Sequence, residues 1–449
     1  MKILHYFLGF PPYRSGGLTK YAFDLMQTQV KDGNSVMALW PGKMGGINHK
    51  VLIKRRKEIT GIQNFELINP LPVSLDEGIK EFDAYMKVCD PEIYETFFKQ
   101  IKPEVIHIHT LMGLHKEFIE VAEKSHIRTV FTTHDYFGIC PKVTLYRYGE
   151  SCENDHGCRD CILCNYSALS LKKIMIMQSW LYRKLKNFSI VKRLRMQHRE
   201  EFFANEEIPE IAFGEEEVII ISEQYKQLRL FYIDMLERID CIHFNSSVAE
   251  KVYKRYIEPQ NSIVMTITHK NIADNRNTNK CIVSDKLRIV SLAPTKPYKG
   301  FNILRTALDE LWNSGNHDFE LKLFSPVQCP SPYMTIYENG FLQSELAQIF
   351  STTDVLVAPS IWYETFGFTV LEAISYGIPV IVSNRVGAQD VIGKGGIIIK
   401  AGSVDELKEA VLKFTRKDVQ LEKKKNVLEH LEIKTWDTLT KENYCLYRF

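Results

Sequence analysis

Short apolar, β-rich runs alternate with amphipathic helical patterns along this chain, and they do so in two separate series. In the first, "MKILHYFL", "SVMALW", "EVIHIHT" and "RTVFTTH" read as buried strands, with helices "GLTKYAFDLMQTQVKDG" and "LHKEFIEVAEKSH" between them. A second series begins at Lys286, where "LRIVSLA", "ELKLFS", "VLVAPS" and "PVIVS" alternate with helices such as "FNILRTALDELWNSG" and "SELAQIFSTT". Such alternation makes a parallel sheet with helices on both faces. An α/β chain of two doubly wound sheets in tandem is expected, with the boundary in the Asn-rich stretch "HKNIADNRNTNK". The 449 residues agree, because one core rarely grows past about 250–300 residues. Ligands of such sheets sit at the carboxyl ends of the strands, so the natural site is the cleft between the two.

The formal charge of +2 gives no basis for nucleic acid as a partner. No stretch approaches the roughly 18 apolar residues of a membrane-spanning helix. The N-terminus reads as a buried strand followed by Pro-Pro, with no signal-peptide cleavage site, so the expected compartment is the cytoplasm. There the ten cysteines stay reduced.

A segment from about 140 to 238 fits neither series. It gathers Cys140, Cys152, Cys158, Cys161 and Cys164, with His156 among them. From Cys161 to Arg199 it has nine Lys or Arg and no acid; from Glu200 to Glu223 it has nine Glu and no base. Cys-x-x-Cys-x-x-Cys is ligand spacing, and Cys152, Cys158, Cys161 and Cys164 are candidate ligands of a structural zinc. An iron–sulfur cluster and free thiols are the alternatives. The basic run "LKKIMIMQSWLYRKLKNFSIVKRLRMQHR" mixes cations with apolar residues, as a helix on an anionic membrane surface does. The competing reading of residues 168–200 is a helix that pairs by charge with its acidic successor. The final stretch, "IKTWDTLTKENYCLYRF", reads as an amphipathic helix with Trp436, Tyr444 and Tyr447 on its apolar side.

The most pointed chemistry lies in "SIWYETFGFTVLEAISYGIPVIVSN", which starts at Ser360. Glu364 stands in a loop before Phe366-Gly367, and Glu372 lies about one and a half turns into the following helix. A glycine at the helix start lets a ligand reach bare backbone N–H groups, which favour a phosphate. Two carboxylates flanking a phosphate site suit a diphosphate that bridges two polyols, as in a nucleotide-sugar.

The stretch "APSIWYETFGFTVLEAISYGIPVIVSNRVGAQDVI" closely resembles the signature of family 4 of the retaining glycosyltransferases. Gly16-Gly17, "HIHT", "TTHD" and "APTKPYKG" follow the family's order along the chain. The resemblance implies two facing Rossmann-like domains of GT-B type, the first with a cysteine-containing helical insertion. Residues 1–280 would be the acceptor-side domain, 281–425 the nucleotide-sugar domain, and 426–449 a helix returning to the first. It also implies that Glu372 bonds the donor ribose, Glu364 the transferred sugar, and Lys299 the diphosphate. Charge aimed at the departing phosphate is usually a large catalytic term. Gly16, Gly17, Lys296, Thr365, Phe366, Gly367 and Phe368 complete the implied donor cradle. His134 of "THD" matches the family's first-domain histidine, with Asp135 to orient it or the acceptor. Thus His134, Glu364 and Lys299 form the implied catalytic set, while His107 and His109 read as structural.

Three departures stand out. Ala293-Pro294 replaces the family's Gly-Arg pair, leaving Lys296 or Arg385 to supply the missing cation; "THKNIAD" replaces an Asn-Gly turn; and the late acid is Asp390. The chain lacks the Asp-x-Asp by which another fold class holds a divalent metal, in line with no cofactor for catalysis. The expected partners are a UDP- or GDP-sugar, a glycan or lipid-linked acceptor in surface polysaccharide or glycoconjugate assembly, and an anionic membrane surface. A catalytically silent homologue that binds the nucleotide-sugar as a partner subunit is the alternative.

Overall fold

The computed structural model describes residues 1–14, 16–45, 50–74, 77–186, 188–189, 191, 193, 213–276 and 285–448. Its first sheet contains β1 (Lys2–Tyr6), β2 (Ser35–Pro41), β3 (Leu52–Ile59), β4 (Ile62–Ile68), β5 (Val105–Ile108), β6 (Arg128–Thr132), β9 (Cys241–Phe244) and β10 (Ser262–Val264). These eight strands run in the order β10-β9-β6-β5-β1-β2-β4-β3. All neighbours are parallel except β3 and β4, which form an antiparallel hairpin at the edge. That hairpin escapes the apolar-run reading because β3, "LIKRRKEI", is an exposed edge strand. Its run of Lys and Arg is a common protection of an unpaired edge. The remaining pair, β7 (Tyr146–Arg147) and β8 (Glu150–Ser151), is a small hairpin in the cysteine-bearing segment.

The second sheet comprises β11 (Leu287–Ser291), β12 (Phe319–Leu323), β13 (Met334–Ile336), β14 (Val355–Ala358), β15 (Val380–Ser383) and β16 (Gly396–Ile399). It is wholly parallel, in the order β13-β12-β11-β14-β15-β16. Renumbered within the sheet this is 3-2-1-4-5-6, the doubly wound nucleotide-binding order, whose switch point falls between the first and fourth strands. Here these are β11 and β14, and the loops leaving them carry Lys299 and Glu364. In the first sheet the order reverses between β1 and β5. The loop after β1 carries Gly16-Gly17, and His109 follows β5. The central strands are continuous buried apolar runs, as expected of strands covered on both faces.

The basic segment is not one continuous helix. Its described part breaks into Leu171–Met177 and Trp180–Leu185, with the Ser179 side chain capping the second. Residues 187, 190, 192 and 194–199 of that run, and most of its acidic successor, lie outside the described residues. The expected charge pairing of the two therefore lies outside the described residues. Arg183 pairs with Glu66 at 2.7 Å, and Lys186 donates to the carbonyls of Pro12 and Tyr13.

The C-terminal helix Trp436–Leu446 lies against the helix Gly17–Lys31 of the first sheet. Trp436 Nε1 donates to Thr28 Oγ1 at 2.8 Å, and Tyr444 Oη to Asp32 at 2.8 Å. One buried apolar cluster joins Tyr21 and Leu25 of that first helix, Trp436 and Leu439, and the second-sheet residues Val290, Leu356 and Val370.

Candidate active site

Lys299 closes a short 3-10 turn after β11, and Glu364 lies in the loop after β14. The switch point brings them together: Lys299 Nζ donates to Glu364 Oε1 at 2.8 Å. Ser360 Oγ donates to the same oxygen. Burial pushes the Glu364 carboxyl up, but the Lys299 charge and these hydrogen bonds outweigh it and hold the group below its ordinary value. Lys299 also lies 4.7 Å from the Trp362 ring centroid and 5.9 Å from that of Tyr298. An ammonium held under aromatic faces and against one carboxylate is positioned for an anion that displaces or joins that carboxylate.

Gly367 caps the helix Phe368–Ser375 with φ +106°, and a Cβ there would come within 2.9 Å of Val386. Only glycine suits both the conformation and the space. Val370 N–H turns back to Gly367 O at 3.2 Å, while N–H groups at a helix start that lack such a partner favour an anion. Phe368 stands against the first sheet: a Cβ on Gly17 would lie 3.9 Å from its ring. Gly16 caps the helix Gly17–Lys31 on the opposite wall.

Glu372 is buried one turn into the helix. Its Oε1 receives Gln343 Nε2 at 3.0 Å and lies 3.2 Å from His269 Nε2. Sequence reasoning missed both partners, as it missed Ser360. The signal for His269 was present, since it lies within "THKNIAD", the segment that departs from the expected turn.

His134 follows β6 on the first-sheet wall. Its backbone carbonyl accepts from Thr365 Oγ1 of the Glu364 loop at 3.2 Å, so the two walls meet here. Burial holds the imidazole neutral, down to about 3. Burial also raises the Asp135 carboxyl to about 6, against one hydrogen bond from the Phe137 N–H. Lys296, also expected in the cradle, precedes the Lys299 turn, and its backbone N–H donates to Pro294 O at 2.7 Å.

Arg385, the other candidate for the missing cation, lies after β15. Its guanidinium is committed to Ser151 Oγ, Ile361 O and Glu153 Oε1 at 2.9, 2.8 and 2.7 Å. Asp390 instead caps a first-sheet helix, accepting from the Ser247 backbone N–H at 2.6 Å and from its hydroxyl. Between these contacts lies a cavity of about 390 Å³, lined by Glu153, Lys251, Arg255, Tyr363, Arg385 and Lys400 among others. It abuts the Glu364 loop without including Lys299 or Glu372.

The described residues do not bring the four expected thiols into one ligand set. Asp155, Cys158 and Cys161 place ligand atoms within 4.8 Å of one another, and Cys152 and Cys164 stand outside this group. Arg229 occupies its flank, 2.5 Å from Asp155 Oδ2 and 3.7 Å from Cys161 Sγ. Burial raises the thiols of Cys152 and Cys164 to about 12 and about 11. A tetrahedral site needs four ligands, and among the described residues the group at Asp155, Cys158 and Cys161 supplies three.

Residues 338–429 match the family model described as "Glycosyl transferases group 1". Over 80 residues the chain is 32% identical to the O-antigen chain mannosyltransferase B of Escherichia coli. That match covers 18% of this chain and 21% of the relative, so the chain spans about a fifth of that relative's length. Sucrose-phosphate synthase from Thermosynechococcus elongatus superposes with TM-score 0.56 at 15% identity, over 99% of this chain and 98% of the other. HepE of Anabaena, solved in complex with UDP, gives 0.55 at 12% identity over 100% of both chains. Residues 338–429 therefore carry the glycosyl transferases group 1 signature, in a chain with the two-domain, Rossmann-like GT-B fold.

Proposed function

We propose that this chain is a family 4 retaining glycosyltransferase that moves a sugar from a UDP- or GDP-linked donor to a glycan or lipid-linked acceptor, without a catalytic metal. The observation that carries the reading is the Lys299–Glu364 pair at the switch point of the second sheet. It lies beside a glycine-capped helix and opposite the Gly17 wall. In this reading Lys299 and the N–H groups from Phe366 to Phe368 hold the diphosphate, Glu364 the sugar, and Glu372 the ribose. As the sugar leaves, negative charge grows on the phosphate next to Lys299, where a preorganised cation is most effective. The departing phosphate takes the acceptor's proton on the face from which the sugar left, so configuration is retained. Residues 1–280 then serve the acceptor, 281–425 the donor, and 426–449 tie the second domain to the first. The UDP complex of the Anabaena protein supports the choice of donor class.

The reading is tested by assaying hydrolysis and transfer across UDP- and GDP-sugars. Lys299→Ala and Glu364→Gln are expected to lose about 10²–10³ in rate while keeping the fold. Calorimetric indifference to every activated donor would end it. Donor binding without turnover would favour the silent, donor-binding homologue, a reading motivated by the absence of a second phosphate cation at Pro294.

The surface of the insertion supports a membrane-facing acceptor on the cytoplasmic side. Ile176, Trp180, Leu181 and Phe188 are exposed beside Lys172, Lys173 and Lys184. Apolar side chains among cations suit an anionic bilayer surface. Flotation with anionic vesicles is expected to recover the protein and to lose it after Trp180→Ala with Leu181→Ala; equal recovery of both would refute the contact.

A further inference from the structure

Five histidines occupy the carboxyl end of the first sheet, and four of them are buried: His5, His107, His109 and His243. The fifth, His134, is half-buried at the cleft. The contacts between them form a single file. His243 Nε2 lies 2.7 Å from Met265 O, and His243 Nδ1 lies 2.9 Å from Thr132 Oγ1. Thr132 Oγ1 lies 2.7 Å from His107 Nε2, whose Nδ1 is 2.8 Å from Tyr447 Oη. Gln29 bridges Tyr447 Oη at 2.9 Å and His5 Nε2 at 2.7 Å. From His5 Nδ1 the file continues to His109 Nε2 at 3.0 Å, and from His109 Nδ1 to His134 Nε2 at 3.3 Å.

Burial keeps all five imidazoles neutral, with His5 and His243 held at about 4 and His134 at about 3. A neutral imidazole has one N–H and one lone pair, so a donor on one nitrogen makes the other an acceptor. The Met265 carbonyl can only accept, and this fixes His243 as donor at Nε2 and acceptor at Nδ1. Thr132 must then donate to His243 and accept from His107 Nε2–H. Tyr447 O–H must donate to His107 Nδ1 and accept from the Gln29 amide N–H. The Gln29 carbonyl is left to accept from His5 Nε2–H. His109 then donates to His5, and His134 Nε2–H donates to His109. No link in the file can be reversed alone. His5, His107 and His109 also bring ring nitrogens within 4.8 Å of one another, as a metal site does. The directed file, however, already uses both nitrogens of all three.

We infer that this file fixes His134 as the Nε2–H tautomer, with Nδ1 left as a hydrogen-bond acceptor at the cleft. Tyr447, Gln29 and Thr132 are then positioning residues that act through it. A hydroxyl on the last turn of the chain thereby sets the polarity of a side chain at the candidate active site. That Nδ1 receives a donor-sugar hydroxyl rests on the proposed function; the tautomer itself does not.

Two-bond ¹H–¹⁵N spectra of ¹⁵N-histidine-labelled protein, without donor and near neutral pH, read the tautomers directly. In the wild type all five rings are expected as Nε2–H, and an Nδ1–H ring among them would overturn the inference. Thr132→Val and Tyr447→Phe each delete one hydroxyl of the file, neither of them bonded to His134 itself. Each frees the Gln29 amide to turn over, and His134 is expected to populate both tautomers. Thr132→Ser keeps the hydroxyl and is expected to keep the wild-type pattern. A purely Nε2–H His134 in both folded, interrupted variants would also overturn the inference. Sugar transfer should fall in proportion to the Nδ1–H fraction of His134. A shift in tautomer with unchanged transfer would overturn the acceptor role of Nδ1 while leaving the file in place.

Discussion

Asp135 and Glu364 meet the same cleft from opposite walls, and burial raises the pKa of both. Glu364 has Lys299 and Ser360 against one oxygen, so its carboxyl ends below the ordinary value. Asp135 has only the Phe137 N–H and rises from 3.8 to about 6. The linkage signs are therefore opposite. Glu364 contributes stability that is present above its unfolded pKa and lost as pH falls through the lower folded one. Between about 4 and about 6 the folded state binds more protons at Asp135 than the unfolded state does, so its contribution to stability declines as pH rises. Asp135→Asn keeps an acceptor for Phe137 and cannot titrate. Its stability relative to wild type, from urea unfolding, should rise between pH 4 and pH 6 and be flat above; a constant difference would contradict the raised pKa. At this scale the sequence singled out Glu364, Glu372 and Lys299 but not their partners. Ser360, Gln343 and His269 reach them only through tertiary packing, and the thiols of Cys152 and Cys164 diverge from Cys158 and Cys161 despite their ligand spacing.

At the scale of elements, alternation was enough to identify the central strands, because strands covered on both faces must be continuous apolar runs. It could not reveal β3, whose charges suit an edge. It also suggested a single basic helix where Ser179 interrupts the chain. The loops at the switch point depend on a feature that alternation does not register. Gly300, which opens the helix Phe301–Asn313, has φ +77°, and a Cβ there would lie 2.0 Å from the Pro359 carbonyl oxygen. The β11 and β14 loops thus touch backbone to backbone, just behind Lys299 and ahead of Ser360 and Glu364. Gly300→Ala carries a cost of about 1–2 kcal/mol for the left-handed conformation alone. Relief of the clash must also move the loop that carries Glu364. Thermal stability and donor affinity are expected to fall together, by calorimetry on the same preparation. A stability loss with unchanged affinity would show that the loop contact does not position the site.

At the scale of the whole molecule, the two sheets are coupled through a helix that belongs to neither. Trp436 is buried in the cluster that includes Tyr21 and Leu25 from the first domain and Val290, Leu356 and Val370 from the second. Its Nε1 donates to Thr28, and three residues of the same helix, Leu439, Asn443 and Tyr444, add contacts to one or other side. Replacing a buried tryptophan by alanine costs on the order of 3–5 kcal/mol, but the informative quantity is where that loss appears. If the helix were only a cap on the first domain, Trp436→Ala would raise amide exchange in the helix Gly17–Lys31 and leave the second domain unchanged. Because the ring fills a space shared by both, exchange should rise together in Gly17–Lys31 and Phe368–Ser375, the two helices whose N-termini face each other across the cleft. Trp436→Phe keeps most of the packing and removes the hydrogen bond to Thr28, worth about 1 kcal/mol; it should disturb Gly17–Lys31 more than Phe368–Ser375. Equal disturbance of both helices by Trp436→Phe would assign the coupling to the hydrogen bond instead of the shared apolar core. The helix Trp436–Leu446 would then orient one wall of the cleft without setting its width.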